Sequence, residues 1–195
     1  YIASIVPLGK LFGLAFLDLT PGEFRTLPLE KEQELIDALY RLRPAEFVTS
    51  RKFKTARPTF FQDLSNAFSF LVSELDDWRF DLESSLKSLL SPFRIASLDS
   101  FGLSGKSAAI AAAGALLSYL KEDLSLRLEH VSSLQNDALS QCMASDRSTM
   151  RHLELVESQS DSSQKNSLRE LLDRTATPMG ARLLGQWIKA PLLSV

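Results

Sequence analysis

"DSFGLSGKSAAIAAAGALLSYL", residues 99–120, is the stretch on which the fold turns. Gly105-Lys106-Ser107 is the tail of a phosphate-binding loop, and a helical run follows it. "LAFLD", ending at Asp18, has the form of a strand that ends in a magnesium-holding carboxylate. Taken together they would make a nucleotide-binding α/β domain. The motif G-x-x-x-x-G-K-[ST] works because glycine-rich backbone wraps N–H groups around phosphates. Here Ser100 stands in place of the first glycine, and Phe101 and Leu103 occupy positions where the chain must turn tightly. Gly102 is out of register, and Asp18 precedes the loop, where the usual order puts the carboxylate after it. The stretch therefore reads as a helix start fixed by two apolar anchors, Phe101 and Leu103.

The helix that follows, Gly105–Glu122, is almost bare. Six alanines and Gly114 fill seven of the eight positions 108–115. Alanine favours helix intrinsically, and a thin helix lets its neighbours approach on every side. The spacing predicts a helix sandwiched between other elements, with no ligand needed to explain it.

Outward from it, the first third alternates short apolar runs, "YIASIV", "LFGLAFLDL" and "EFRTLPL", with "PLGK" and "TPGE". That pattern predicts an antiparallel meander. Asp18 is expected to bond the "TPG" turn through its side chain. Leu35, Ile36, Leu39 and Leu42 predict a helix over 30–43 stopped by Pro44, and "AEFVTS" a further strand. "SRKFKTARP" places Arg51, Lys52, Lys54 and Arg57 in what reads as one solvated loop; a phosphate-contacting patch is the other reading. Thr59 and Gln62 have capping-box form, and Phe60, Leu64, Phe68, Leu71 and Leu75 predict one helix face. Asp81 is expected to cap a helix with apolar Leu82, Leu86, Leu89 and Leu90, closed by Pro92.

Beyond residue 123 the pattern turns helical. Met150, Leu153 and Val156 or Leu155 share a face, "SQSDSSQKN" is a polar loop, and "SLRELLDRT" is a short helix. Thr177-Pro178 starts another as cap and first position, with Met179, Leu183, Leu184, Trp187 and Ile188 as its apolar face. The expected organisation is α/β over 1–126 and all-α over 127–195, without internal repeats.

The chain has 195 residues, 45% hydrophobic and 24% charged, with net charge −2 and pI about 5.8. Nothing in that balance draws it globally toward nucleic acid. Cys142 is the single cysteine, so no internal disulfide forms; a reducing, cytoplasmic setting is expected. No apolar run has the ~20 residues a bilayer requires, and no membrane partner is expected. The start at Tyr1 and the finish at "APLLSV" read as a piece of a longer protein. His130 and His152 lack companions at metal-ligand spacing. An alternative weighed on the carboxylates is a metal-dependent nuclease of ribonuclease-H type, with Asp18 at a strand end and Glu34 or Asp37 on the next helix.

The last helix and its approach carry more specific information. "LLDRTATPMGARLLGQWIKAPL", residues 171–192, resembles the MutS family of DNA mismatch-repair proteins. The family pattern L-D-x-T-x-T-x-M-G-x-R-x-L-x-x-W, then Pro-Leu, is matched by Leu172, Asp173, Thr175, Thr177, Met179, Gly180, Arg182, Leu184, Trp187, Pro191 and Leu192. Asp146, Thr149, Arg151, Leu153, Glu154 and Leu155 resemble its D-x-x-T-x-R-N-L-E-L segment, with His152 in place of Asn. "AIAAAGALLSYLKE" (109–122) and "FGLAFLDLTPGEFR" (12–25) look like its small-residue helix and its early strand pair.

The resemblance implies a ribonuclease-H-like α/β connector domain over 1–126, without nuclease activity, and the first part of an all-α core, or lever, domain over 127–195. It implies no cofactor and no catalysis in this piece. ATP and magnesium would belong to an ATPase domain elsewhere in the parent, and a Phe-x-Glu mismatch reader to another. The implied partners are MutL, the remaining MutS domains and, through a dimeric parent, DNA. Ser84, Lys87 and Ser88 on the outer face of the helix after Asp81 are the implied MutL contacts. Arg182 is expected to pair with Asp173 or with a buried carbonyl.

Overall fold

The computed structural model describes residues 1–93, 101–131, 133–136, 143, 147–159 and 165–193. Asp99, Ser100, Cys142 and Asp146 lie outside the described residues. The chain divides into two compact units, Tyr1–Asp137 and Ala138–Val195.

The first unit is a mixed sheet with helices. Three strands, β1 (Ile2–Leu8), β2 (Leu11–Asp18) and β3 (Glu23–Leu29), form the expected antiparallel meander. The turn between the last two carries Gly22 at φ 72°, and its amide donates to the Asp18 carbonyl at 3.0 Å. Helix α1 (Glu32–Leu42) follows and ends at Arg43, in the left-handed region before Pro44. β4 (Glu46–Ser50) then returns parallel to β1, β5 (Leu71–Leu75) adds parallel to β4, and β6 (Leu134–Asn136) adds parallel to β3. The strand order is β5-β4-β1-β2-β3-β6.

Alternation along the strands sorts side chains to two faces. Ile2, Val6, Ala15, Leu17, Phe24 and Val48 join one core with helix α5 (Ser107–Ser118) and with α4 (Leu82–Phe93). Phe47, of opposite parity, is fully buried against Phe70 and Phe68, at ring separations of 4.6 and 6.3 Å. Covering both faces explains why the strands read as near-continuous apolar runs.

Two segments depart from the sequence reading. "SRKFKTARP" is not a loop: Arg51–Ala56 is helix α2. The Ser50 hydroxyl accepts the Phe53 amide, and Phe53 is buried on Phe60 and Phe61. One apolar anchor and one cap suffice here, whereas periodicity sees mostly charge. Residues 60–75 are not one helix either. Helix α3 (Pro58–Ser65) starts with Pro58 at its first turn rather than at a Thr59 cap. Leu71 and Leu75 then belong to β5. The i, i+4 spacing from Phe60 to Phe68 ran on into a strand whose sequence is equally apolar.

The sequence boundary between residues 126 and 127 falls inside the first unit, since Leu128, Val131 and Leu134 are buried in its core. The second unit contains α6 (Arg147–His152), α7 (Leu168–Leu172) and α8 (Pro178–Lys189). Helix α6 is shorter than its apolar pattern. It ends at His152, and Glu154 takes φ 47°; Met150 is buried and Leu153 exposed. No helix among the described residues is long and apolar enough to cross a membrane.

Candidate functional site

Two constellations stand out, one in each unit. In the first, α5 lies within close-packed limits on two sides. Eleven of its residues, Ala108–Ser118, are buried. On the sheet side a Cβ added at Gly13 would overlap the Ala108 carbonyl; on the α4 side a Cβ at Gly114 would fall 2.6 Å from the Ser85 carbonyl oxygen. Ser85 is fully buried and its hydroxyl donates to the Ala111 carbonyl at 3.3 Å. Packing this close carries a displacement of one element to its neighbours.

The two ends of α5 are held differently. At its start Leu103 is fully buried and Phe101 packs on the core, as the sequence suggests. Lys106 precedes the first turn with no side-chain cap, and Gly102 and Gly105 take φ 65° and 75°. At its end the helix widens into a π turn, Tyr119–Asp123. The Tyr119 hydroxyl reaches Glu46 Oε1 at 2.5 Å and Ser73 Oγ at 3.1 Å, and Ser73 also donates to that carboxylate. Burial, then the Glu46 carboxylate, pushes the tyrosine above its ordinary pKa. Arg79, on a 3-10 turn over Asp77–Phe80, donates to Glu122 at 2.5 Å and Asp123 at 2.6 Å. Burial works against its charge, yet the two carboxylates raise its pKa above the usual arginine value.

The implied MutL contacts lie on the outer side of α4. Lys87 is exposed and pairs with Glu83 at 2.7 Å, while Ser88 Oγ donates back to the Ser84 carbonyl at 3.0 Å. Ser84 and Ser88 are half-buried.

The second constellation is the 171–192 motif. Asp173 Oδ1 accepts the Thr175 amide at 3.1 Å and its hydroxyl at 2.6 Å. Those two bonds, hydroxyl first, hold the Asp173 pKa below its ordinary value. Arg169 is the cation beside it; Arg182 is exposed on α8. Thr177 Oγ1 caps α8 by accepting the Gly180 amide at 3.1 Å, with Pro178 at the first position. Gly180 leaves little room, since an added Cβ would meet Thr175 Cβ at 3.2 Å. Arg169 lies across Gly185 and donates to the Ala181 carbonyl at 3.4 Å, tying α7 to α8. The motif is therefore a helix-start device. Thr177→Ala should lower stability by about 1 kcal/mol, checked by thermal melting followed by circular dichroism. Of the expected packing face, Met179, Leu183 and Trp187 are 61%, 44% and 63% exposed, whereas Leu184 and Ile188 are half-buried.

The carboxylates of the nuclease alternative do not converge. Asp18 Oδ1 accepts the Thr20 amide at 3.2 Å, the expected turn bond. Asp18 pairs with Glu23, whereas α1 starts beyond Leu29, which pairs with Phe12. Six residue steps, about 20 Å, separate Asp18 from the end of β3 that leads into α1. Glu34 accepts the Glu30 and Lys31 backbone amides, and Asp37 Oδ1 accepts a bond from Gln33 Nε2. Among the described residues no group of three metal-ligating side chains forms. Three cations of the 51–57 segment face carboxylates as well: Lys54 to Glu74 at 2.8 Å, Arg57 to Glu32 at 2.7 Å and Arg51 to Glu74 at 3.8 Å.

Sequence reasoning missed Arg79, Tyr119, Glu46 and Ser85. Arg79 reaches Glu122 and Asp123 across 43 and 44 positions, and Tyr119 reaches Glu46 across 73, with no local pattern. Gly114 within the alanine run was the one available signal for Ser85.

Comparison with known proteins covers both units. A family model described as MutS domain II matches residues 1–135, and one described as MutS domain III matches residues 148–195. A DNA mismatch repair protein MutS of Protochlamydia amoebophila is 48% identical over 195 residues, 100% of this chain and 23% of that relative. The MutS of Chlamydia pneumoniae is 38% identical over 191 residues, 98% of this chain and 23% of the relative. That of Lachnoclostridium phytofermentans is 32% identical over 201 residues, 100% of this chain and 21% of the relative. The chain thus spans less than a quarter of the length of these relatives.

Proposed function

Since the chain belongs to the MutS family of DNA mismatch repair proteins, matching its domains II and III, we propose that it works as a connector-and-core module of such a protein. The first unit, Tyr1–Asp137, is the connector domain, of ribonuclease-H-like form, and the second, Ala138–Val195, begins the helical core, or lever. The order β3-β2-β1-β4-β5, with the first three antiparallel and β4 and β5 parallel to β1, supports the connector reading. The α-helical elements of the second unit support the other.

The module's task is mechanical. It links the mismatch-reading part of a dimeric parent to its ATPase part and passes displacement between them. The observation that carries this is α5, clamped between Gly13 on the sheet and Ser85 on α4 with no slack on either side. Catalysis, ATP and magnesium belong to other domains of the parent. The outer face of α4, with Ser84, Lys87 and Ser88, serves as the MutL docking surface.

The test uses the whole parent protein on mismatched duplex. Ser84→Arg combined with Lys87→Glu is expected to lower ATP-dependent capture of MutL at least tenfold, with mismatch affinity unchanged. Unaltered MutL capture would remove the docking assignment. The chain alone is expected to hydrolyse no ATP and to bind matched and mismatched duplex alike; selective retention of the mismatched duplex would overturn the mechanical reading.

A further inference from the structure

We propose that the π turn Tyr119–Asp123 is a joint latched by Arg79. With the ion pairs made it keeps one register; with them broken, the turn and the exposed stretch after it re-register while α5 stays seated. This deepens the mechanical reading by giving it a moving part.

The geometry separates a fixed side from a free side at one residue. From Ala108 to Leu120 every residue is buried, and the Tyr119 hydroxyl is anchored on Glu46 and Ser73 across the sheet. From 121 to 127 every residue is exposed. The backbone bonds crossing the boundary span five and six residues rather than four: Leu124 N–H to the Tyr119 carbonyl at 3.2 Å, and Leu126 N–H to the Leu120 carbonyl at 2.9 Å. Ser125 takes φ 52°. A π turn holds one residue more than an α turn and tends to occur singly, at functional positions. Reverting to the α register turns every following residue by about 100° around the axis. That rotation would carry Glu122 and Asp123 away from Arg79.

Arg79 makes the two registers distinct rather than continuous. Its side chain is 9% exposed, and Nε has no partner among the described residues. A guanidinium so enclosed is tolerated only while both carboxylates face it; without them an uncompensated charge is left behind. The carboxylates themselves are 63% and 41% exposed, so dissolved salt reaches them. The guanidinium also lies 6.0 Å from the Trp78 ring centroid, which places a fluorescent reporter beside the latch.

Amide hydrogen exchange, read by mass spectrometry on the full 195-residue chain, tests this without DNA or ATP. The joint can therefore fail while the mechanical reading stands. Arg79→Met, which keeps the apolar stem, is expected to speed exchange of 119–126 at least tenfold and leave 107–118 unchanged. Glu122→Gln with Asp123→Asn, which keeps Arg79, is expected to do the same. In the unaltered chain 1 M sodium chloride should reproduce the effect, and should add less than twofold in the Arg79→Met variant. In a Trp187→Phe background, Trp78 emission should shift over the same salt range. Unchanged exchange at 119–126 in both variants would overturn the proposal. So would equal acceleration of 107–118, because the turn would then be part of one cooperative block.

Discussion

Gly114→Val is expected to destabilise the first unit by about 3 kcal/mol or more, at the upper end of what overpacked cores show. In an isolated helix the same position would gain from losing glycine, since glycine costs about 1 kcal/mol relative to alanine. Here the added Cβ meets the Ser85 Cα, Cβ and carbonyl oxygen. Two of those three atoms are backbone, so rotamer changes do not relieve the overlap, and α4 must move off α5. Urea unfolding gives the loss as a lower midpoint at unchanged slope. Gly114→Ala should go the same way, against propensity. Ser85→Gly added to it removes one overlapping atom and should restore part of the loss, with a coupling of about 1 kcal/mol. Stabilisation by Gly114→Ala would show that the contact has slack.

Phe47→Ala is expected to lower stability by about 3–5 kcal/mol, the usual range for removing a buried aromatic side chain. Phe47 is fully buried on the face of the sheet away from α5, edge-on to Phe70 at 4.6 Å and tilted against Phe68. Phe68 also packs on Tyr40 of α1, at 6.1 Å. One substitution therefore unseats α1 and the approach to β5 together. A typical domain has only about 5–15 kcal/mol in total, so the variant should melt far below the unaltered chain. Near-ultraviolet circular dichroism should lose intensity before the far-ultraviolet signal does. A loss under about 1 kcal/mol would show that the ring is not a keystone of that face.

The meander, α1, β4, the thin helix and the capped α8 were legible in the sequence because each is set by a local device. Pro44, Thr20-Pro21-Gly22 and Thr177-Pro178 punctuate the chain, and the alanine run has few other uses. The family was legible because 171–192 is a spaced pattern, and the structure shows what its first part does: Asp173, Thr175, Thr177 and Gly180 build one helix start. What was not legible is what depends on distant partners. Helix α2 rests on Phe53 meeting Phe60 and Phe61, which charge-rich sequence hides. β5 shares its apolar spacing with a helix, and pairing with β4 decides the matter. Arg79 and Tyr119 find carboxylates that only the folded chain supplies. Met179, Leu183 and Trp187 were readable as an apolar stripe, but an amphipathic pattern does not say what covers it.

The order in which the chain is made gives α5 one more consequence. Ile2, Val6, Leu17 and Phe24 are made well before the helix that shields them, which is finished only at Ser118. At about 5–20 residues per second, the 94 residues from Phe24 to Ser118 keep that greasy surface bare for about 5–20 seconds. A nascent chain in that interval presents a half-covered sheet, the form that holding chaperones bind. A ribosome pause placed before residue 107 should therefore lengthen chaperone occupancy, and one placed after residue 120 should not.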